Sequence, residues 1–242
     1  MSKTRIGLLS LIAILSTLAL TAATSSAAIK FEWKVKGETL LAGETKEFTT
    51  TTDGHTFDFH GSVAGAEALL LSSEISVEPG AKIIGGKPGT NEETVVFKNV
   101  TVDKPEKCAV ESEGAPTGTV KTNALHTEIV ESEETHEPLI LFAPKTGTVF
   151  VPLLFLNKSS TETCLGGAAP VLAAVTGTLL VQPLPSLGET LNGDLDFEAP
   201  TKNFFLSNGT LDKAGLVFAG NAATLTGLSL VILKTDEKFG AF

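Results

Sequence analysis

Two short segments of the sequence gather side chains that could ligate a metal ion. The first, residues 53–60, contains two aspartates and two histidines. On a straight strand Asp58 and His60 share one face, whereas His55 points to the other. A zinc site needs three or four convergent ligands. The segment therefore offers Asp58 and His60 as zinc candidates, and a solvated turn followed by the wet face of a strand is the alternative interpretation.

The second segment alternates oxygen-bearing side chains with glycine and apolar residues. Its oxygen-bearing residues are Asn192, Asp194, Asp196 and Glu198. Calcium prefers such oxygens, and it is the one cofactor that the sequence suggests. A calcium loop, however, curls its ligands around one ion with a sharp glycine turn at the sixth position, which this stretch lacks. An exposed strand face explains the same alternation, so no metal site is assigned.

Catalytic motifs give no assignment either. There is no nucleophile elbow of the GxSxG type, and His136-Glu137 is followed by Pro138 without the second histidine of a zinc protease helix. The other histidines, His55, His60 and His126, could each act as a base, because triads assemble from distant residues. Nothing in the sequence selects one of them, so no catalytic residue is predicted. The acidic run 131–137 indicates a solvated hairpin loop, with cation or partner binding as the alternative.

The elements that would carry these residues are strands. Period-2 alternation recurs along the chain, and turn dipeptides such as Asp53-Gly54, Pro79-Gly80 and Asn208-Gly209 separate the segments. This pattern predicts an all-β fold, an antiparallel sandwich or barrel with many short strands. The alternating segments are 29–35, 56–59, 94–102, 117–121, 127–131, 139–142, 148–156, 177–181, 215–218 and 227–233. Two Ala-rich stretches, 64–71 and 166–174, are expected to form short helices.

Details within these segments add two expectations. Pro152 lies inside an apolar run and cannot donate a ladder hydrogen bond, so we expect a bulge or a sheet edge there. Trp33 alternates with apolar residues and is expected in the core. With one tryptophan and no tyrosine, the chain offers few flat platforms for stacking sugars or bases.

The first residues have the order of a secretory signal peptide. Lys3 and Arg5 precede an apolar stretch of 15 residues, 6–20, and small residues follow. The preferred cleavage site is after Ala28, and cleavage after Ala23 is the second choice. The alternative is an uncleaved N-terminal anchor, because serine and threonine extend the uncharged stretch. Residues 29–242 would then form a single all-β domain without a membrane segment.

Cleavage after Ala28 changes the charge and sets the redox environment. Of the 18 basic residues, Lys3 and Arg5 are lost, so 16 lysines remain against 28 carboxylates, a formal net charge of −12 without any arginine. Nucleic acid and anionic lipid are poor partners for such a surface. In an oxidising compartment Cys108 and Cys164 are expected to pair, since their spacing lacks the CxxC pattern of redox or metal thiolates.

Four segments carry a resemblance to known sequences: residues 77–90, 106–108, 120–125 and 144–150. They resemble a large paralogous set of secreted, β-rich proteins of soil actinobacteria. The resemblance covers about the middle half of the chain and brings no known activity or site residue. It implies a Gram-positive setting, extracellular or associated with the cell wall.

These observations lead to three functional hypotheses. The first is a secreted, non-catalytic β-domain that binds a cell-wall or surface component or a second copy of itself. The second is a β-barrel for a small apolar ligand, because 14 phenylalanines could line an apolar lumen. A secreted hydrolase is the third, without a residue to assign to it.

Overall fold

The computed structural model describes residues 31–52, 54–63, 65–167, 170–185, 188–198 and 201–242, so the predicted signal peptide lies outside the described part. The described residues form short strands joined by turns, with one 3₁₀ turn at Cys164–Gly167. None of their helical structure has the length and apolar character that crossing a membrane requires. The strands are β1 (Trp33–Val35), β2 (Glu38–Thr39), β3 (Thr45–Thr52), β4 (Phe57–Val63), β5 (Ala66–Ser72), β6 (Glu74–Val77), β7 (Lys82–Ile84), β8 (Thr90–Glu93), β9 (Val95–Lys98), β10 (Thr101–Lys104), β11 (Cys108–Glu111), β12 (Val120–Lys121), β13 (Leu125–Ser132), β14 (Pro138–Pro144), β15 (Val149–Asn157), β16 (Val171–Leu184), β17 (Gly193–Asp196), β18 (Asn203–Phe205), β19 (Leu211–Lys213), β20 (Gly215–Phe218), β21 (Asn221–Thr226), β22 (Leu228–Leu233) and β23 (Phe239–Ala241).

Eight of these strands close into an antiparallel barrel. Around the ring the order is β3, β22, β17, β16, β14, β13, β8 and β7, and β7 pairs again with β3. Alternate side chains point into the barrel, as the pleat requires. On β22, for example, Ser229, Val231 and Leu233 are buried. The all-β prediction is confirmed, and a barrel is the form that this part takes.

A second run of paired strands curls beside the barrel and is called the curled sheet below. Its order is β10, β5, β4, β21, β20, β16, β15 and β11. The 14-residue strand β16 belongs to both structures. As far as Thr178 it pairs with β15 and β20, and from Leu179 it pairs with β14 and β17. Gly177, with φ +101°, precedes this change of partners. Strand β16 therefore joins the barrel to the curled sheet.

Two three-stranded sheets and one hairpin complete the architecture. The sheets have the orders β2-β1-β23 and β12-β9-β6, and the β18-β19 hairpin pairs with β13. In the first sheet the rings of Trp33 and Phe239 pack with centroids 6.4 Å apart. The Trp33 indole N–H donates to the Thr90 carbonyl at 3.1 Å, and only 3% of the residue is exposed. The predicted core position of Trp33 is confirmed.

Among the described residues the main hydrophobic core runs through the barrel and the curled sheet, and a smaller second cluster includes Val130, Leu180 and Phe204. Phenylalanines connect the barrel with the curled sheet: Phe142 of the barrel contacts Phe197 with ring centroids 6.0 Å apart, and Phe197 contacts Phe57 of β4 at 5.1 Å. The second contact is edge-to-face, with an interplanar angle of 88°. Such aromatic pairs add about 0.5–1.5 kcal/mol each beyond the area that they bury. The two sheets are thus packed against each other as well as joined through β16.

The predicted disulfide is present. Cys108, the first residue of β11, is bonded to Cys164 of the 3₁₀ turn, across a sequence separation of 56 residues. Both cysteines are buried, and Asn157 Oδ1 accepts the Cys164 backbone N–H at 2.9 Å. The bond therefore fixes the turn that leads from β15 toward β16 against the edge strand of the curled sheet.

The two predicted helices are wrong. Within the first Ala-rich stretch the chain forms β5, in which Ala68, Leu70 and Ser72 face inward. A turn containing Gly65, with φ +78°, folds β5 back on β4, and hairpin pairing overrides the helix propensity of alanine and leucine. The second stretch contributes only the 3₁₀ turn and then enters β16, and residues 168–169 lie outside the described part. Pro152 is placed as expected, beside a bulge between Val149 and Val151.

Candidate functional site

The zinc candidates lie on β4, on the face that points away from the core. His60 is exposed and Asp58 is half-buried, whereas the alternate residues Phe57 and Phe59 face inward. The predicted side of the strand is therefore correct for both residues. His55 precedes the strand and is exposed. One Asp58 carboxylate oxygen, Oδ1, is buried without a hydrogen-bond partner among the described residues.

The calcium candidates are spread along β17 and its two ends. Asp194 and Asp196 lie within the strand, Asn192 precedes it and Glu198 follows it. Strand β17 is paired on both sides, with β16 and β22, so these side chains follow a line instead of curling around one point. Asp196 Oδ1 already accepts the Glu198 backbone N–H at 2.9 Å. This local turn is the interaction that the structure shows for the segment.

The described part of the chain contains no group of three or more histidine, cysteine or acidic side chains arranged to hold a metal ion. The acidic run 131–137 forms the end of the β13-β14 hairpin, as predicted, with His136 Nδ1 2.7 Å from Glu131 Oε1. Ser132 Oγ accepts the backbone N–H groups of Glu134 and Thr135. The run is thus organised as a turn in which Glu134 is exposed, whereas Glu133 is half-buried and accepts a hydrogen bond from Asn203 Nδ2 at 2.7 Å.

The outer surface of the curled sheet carries an uncharged apolar patch. Cross-strand register places Leu154 opposite Leu172, Pro152 opposite Ala174, and Val217 opposite Ala222. Directly opposite residues have Cβ atoms about 4.5–5.5 Å apart, so these pairs touch across the strands. Leu172 is 71% exposed and Val217 is 38% exposed. The patch, called the apolar face below, consists of Pro152, Leu154, Leu172, Ala174, Val217 and Ala222.

The apolar face differs from the rest of the surface in charge. In the described part, acidic and basic side chains pair at many points, including Lys104 with Glu67 and Lys234 with Glu47. None of the six residues of the apolar face is ionisable, and the charged residue opposite Leu154 on β11, Glu111, accepts a hydrogen bond from Thr117. The apolar face thus forms an uncharged area on a surface that elsewhere carries paired charges.

Two of the cavities that the described residues enclose are small. The first, about 50 Å³, is in the curled sheet and is lined almost wholly by apolar side chains, among them Phe57, Phe59, Phe97 and Phe150. Sites for drug-sized ligands have volumes of about 300–1,000 Å³. The phenylalanines of this protein therefore fill most of the space that they enclose.

The second cavity, about 40 Å³, is inside the barrel and is called the barrel cavity below. Trp33, Phe48 and Phe239 line it together with four polar residues, Asn91, Glu93, Thr190 and Asp194. Burial raises the pKa of the Glu93 carboxyl from 4.5 to about 7, and the hydrogen bond from Asn91 opposes this only in part. An ionisable group thus lies in a largely apolar interior.

A network of charges joins the β22-β23 connection to the barrel. Glu237 Oε1 lies 2.7 Å from Lys36 Nζ, and its Oε2 lies 2.7 Å from Lys46 Nζ. Thr235 donates a further hydrogen bond to Oε2. The hydrogen bonds from Lys36, Lys46 and Thr235 lower the pKa of Glu237 to about 2. The network thus ties three separate segments of the chain together.

Comparison with known proteins gave no relative. The chain matched no protein-family model, no curated protein and no solved structure.

Sequence reasoning missed both the apolar face and the barrel cavity. Leu154 and Leu172 belong to apolar runs in which the outward positions are apolar too, so alternation alone did not mark them as exposed. Glu93 follows Asn91 and Glu92 in a stretch whose composition is typical of a solvated segment. The alternation of β8 was the signal available for Glu93, because it places Asn91 and Glu93 on one face and Glu92 on the other.

Proposed function

We propose that this protein is a secreted, non-catalytic β-domain of the cell envelope that acts by binding, with the apolar face as its contact surface. The observation that carries the proposal is the exposure of Leu172 and Val217 on an uncharged sheet face. Exposed apolar patches mark interaction sites when they exceed a few hundred Å². Its partner would be an uncharged surface component of the cell wall, or a second copy of the chain.

The size of the apolar face bears on the strength of binding. Four neighbouring strands at about 4.8 Å spacing, with one or two outward residues each, give a patch on the order of 200 Å². A stable interface buries about 800 Å² on each partner. The apolar face would therefore be the centre of a weak contact, suited to attachment at many points on an extended surface, where avidity compensates for low affinity.

Export is the second part of the proposal. A buried Cys108–Cys164 disulfide is typical of proteins from oxidising compartments. The basic and apolar start of the sequence and the resemblance to secreted actinobacterial proteins point in the same direction. Cleavage after Ala28 would leave an acidic chain, which favours neutral partners over nucleic acid or anionic lipid.

The test compares charged substitutions on and off the apolar face. Leu172→Asp should weaken co-sedimentation with cell-wall material by about 10- to 100-fold, because burial of a leucine contributes roughly 1.5–3 kcal/mol. Leu211→Asp is the matched control, since Leu211 is 51% exposed but lies on β19, outside the apolar face. Sedimentation velocity of each variant alone measures self-association in the same way.

Two results would contradict the proposal. One is equal binding and equal self-association of the wild type and the Leu172→Asp variant. The other is turnover in a hydrolase panel that a single histidine or carboxylate substitution abolishes, which would make the protein an enzyme.

Carriage of a small apolar ligand is the second candidate. The phenylalanine-lined cavity of about 50 Å³ favours it through the apolar character of its walls. A ligand of more than a few atoms would require those side chains to move. Native mass spectrometry of protein purified from culture medium decides the question, because a carrier would show a bound apolar adduct and an unliganded domain would show the mass of the mature chain alone.

A further inference from the structure

The barrel interior contains four buried oxygens that have no partner among the described protein groups. Glu93 Oε1, Asn91 Oδ1, Thr127 Oγ1 and Ser229 Oγ are all inaccessible to solvent and have no hydrogen-bond partner in the described part of the chain. Asn91 is 5% exposed, and Thr127 and Ser229 are 1% exposed. A buried polar group without a hydrogen bond costs about 1–3 kcal/mol. Four such groups in one barrel therefore require a common explanation.

These oxygens face the same interior. Asn91 and Glu93 line the barrel cavity from β8. Thr127 on β13 is the register partner of Asn91, so their side chains point to the same side of the sheet. Ser229 on β22 shares its face with Val231, which also lines the cavity. Strands β8, β13 and β22 thus each present an oxygen to the inside of the barrel.

We propose that the barrel cavity is a binding site for water, in which two or three molecules donate hydrogen bonds to Glu93 Oε1 and Asn91 Oδ1, in the barrel interior toward which Thr127 and Ser229 also face. The unpaired oxygens of Glu93 and Asn91 are acceptors, so the ligand must be a small hydrogen-bond donor. Water meets this requirement and fits the space. About 10–15 Å³ of such volume holds one water, so a cavity of about 40 Å³ admits two or three.

The chemistry of the site favours water over a cation. Calcium in proteins takes about six to eight oxygen ligands, whereas the side chains that line the barrel cavity offer two carboxylates, Glu93 and Asp194, one amide, Asn91, and one hydroxyl, Thr190, among apolar walls. A water molecule needs only two to four polar partners. It also serves Glu93 in both protonation states, because it can donate to the carboxylate and accept from the carboxylic acid.

The proposal is tested on the wild-type protein first. A crystal structure at a resolution that shows ordered water should contain density in the barrel cavity within about 2.7–3.0 Å of Glu93 Oε1 and Asn91 Oδ1. Crystals soaked in thallium(I) should show no anomalous peak there. An empty cavity would overturn the proposal, and a thallium peak would replace water by a monovalent cation.

A solution measurement adds a second test that needs no crystal. Oxygen-17 relaxation dispersion counts long-lived internal waters, and Glu93→Leu should lower the count by at least one relative to the wild type. Glu92→Gln is the matched control, because Glu92 faces outward and pairs with Lys145 and Lys82. An unchanged count in Glu93→Leu would contradict the proposal. Asn91→Leu, which removes the Oδ1 acceptor of the proposed site, provides the same comparison if Glu93→Leu does not fold.

Discussion

Replacing Gly177 by alanine should destabilise the protein by about 2–5 kcal/mol, because two separate costs fall on one residue. Gly177 has φ +101°, where an L-residue with a side chain is strained, at about 1–2 kcal/mol. In addition, a Cβ atom at this position would lie 2.1 Å from the Gly215 carbonyl oxygen. That oxygen belongs to the backbone of β20, so relief requires a shift of a paired strand, at about 1–3 kcal/mol.

Two other glycines separate these costs. Gly147 has φ +69°, and no heavy atom lies within 4 Å of the point that an alanine Cβ would occupy, so Gly147→Ala should show the strain alone, about 1–2 kcal/mol. Gly215 has an ordinary φ and open space around it, so Gly215→Ala should change stability by less than about 0.5 kcal/mol. The difference between Gly177→Ala and Gly147→Ala then measures the close approach of β16 to β20.

The assay is urea unfolding with the disulfide intact, followed by far-ultraviolet circular dichroism, and thermal unfolding as a second measure. In a chain of this size 1 kcal/mol changes Tm by about 2–4 °C, so Gly177→Ala should lower Tm by roughly 5–20 °C. Equal destabilisation by Gly177→Ala and Gly147→Ala would refute the argument, because it would mean that the backbone of β20 does not lie against Gly177.

Three further predictions concern titration and the disulfide. Because the pKa of Glu93 is raised to about 7, its contribution to stability is fully present below about pH 4.5 and declines as pH rises through 7. Glu93→Gln should therefore increase the free energy of unfolding at pH 8 by about 3 kcal/mol and change it little at pH 4. An equal effect at both pH values would contradict the burial of the charge. The pH dependence of the Glu237 contribution to stability has the opposite sign: because its pKa is lowered to about 2, the contribution is present above about pH 4.5 and is lost as pH falls toward 2. Glu237→Gln should flatten that part of the curve of stability against pH. An unchanged curve would argue against the pairs with Lys36 and Lys46. Replacing Cys108 and Cys164 together by serine should lower the free energy of unfolding by about 4 kcal/mol on the chain-entropy model for a loop of this length. The measurement is the urea midpoint, which should fall. A loss below about 1 kcal/mol would show that the disulfide constrains the unfolded chain little.

The sequence was sufficient for the fold class because many of the strands have one apolar and one polar face. Alternation located β4, β13, β14, β15, β20 and β22 to within a few residues. It did not reveal the closure of the barrel, which depends on the pairing of β3 with both β7 and β22. Strand β3 is threonine-rich and buries Phe48 alone, so its sequence carries little apolar signal. Closure is a long-range property that local patterns do not encode.

The candidate sites were harder to predict for a related reason. What a side chain on a strand can bind depends on the side chains of the strands that pair beside it. A single sequence does not show which strands pair. Asp58 and His60 were placed on the correct face, yet no third ligand could be named for them. Glu93 was overlooked because the strands on either side of it create its environment. Strand β7 is separated from it by a turn, and β13 lies about 30 residues further along the chain.

The sharing of β16 has a consequence for how the chain tolerates insertions and deletions. Most strands can absorb a one-residue change by a bulge or by a longer turn at one end. In β16 both ends are committed, since Val171–Thr178 is in register with the curled sheet and Leu179–Leu184 is in register with the barrel. A one-residue insertion before Gly177 would exchange the inner and outer faces of one half while the other half kept its own. The length of this strand is thus fixed more strictly than its composition, and sequence drift of this protein should proceed by substitution in β16 and by length changes in the turns elsewhere.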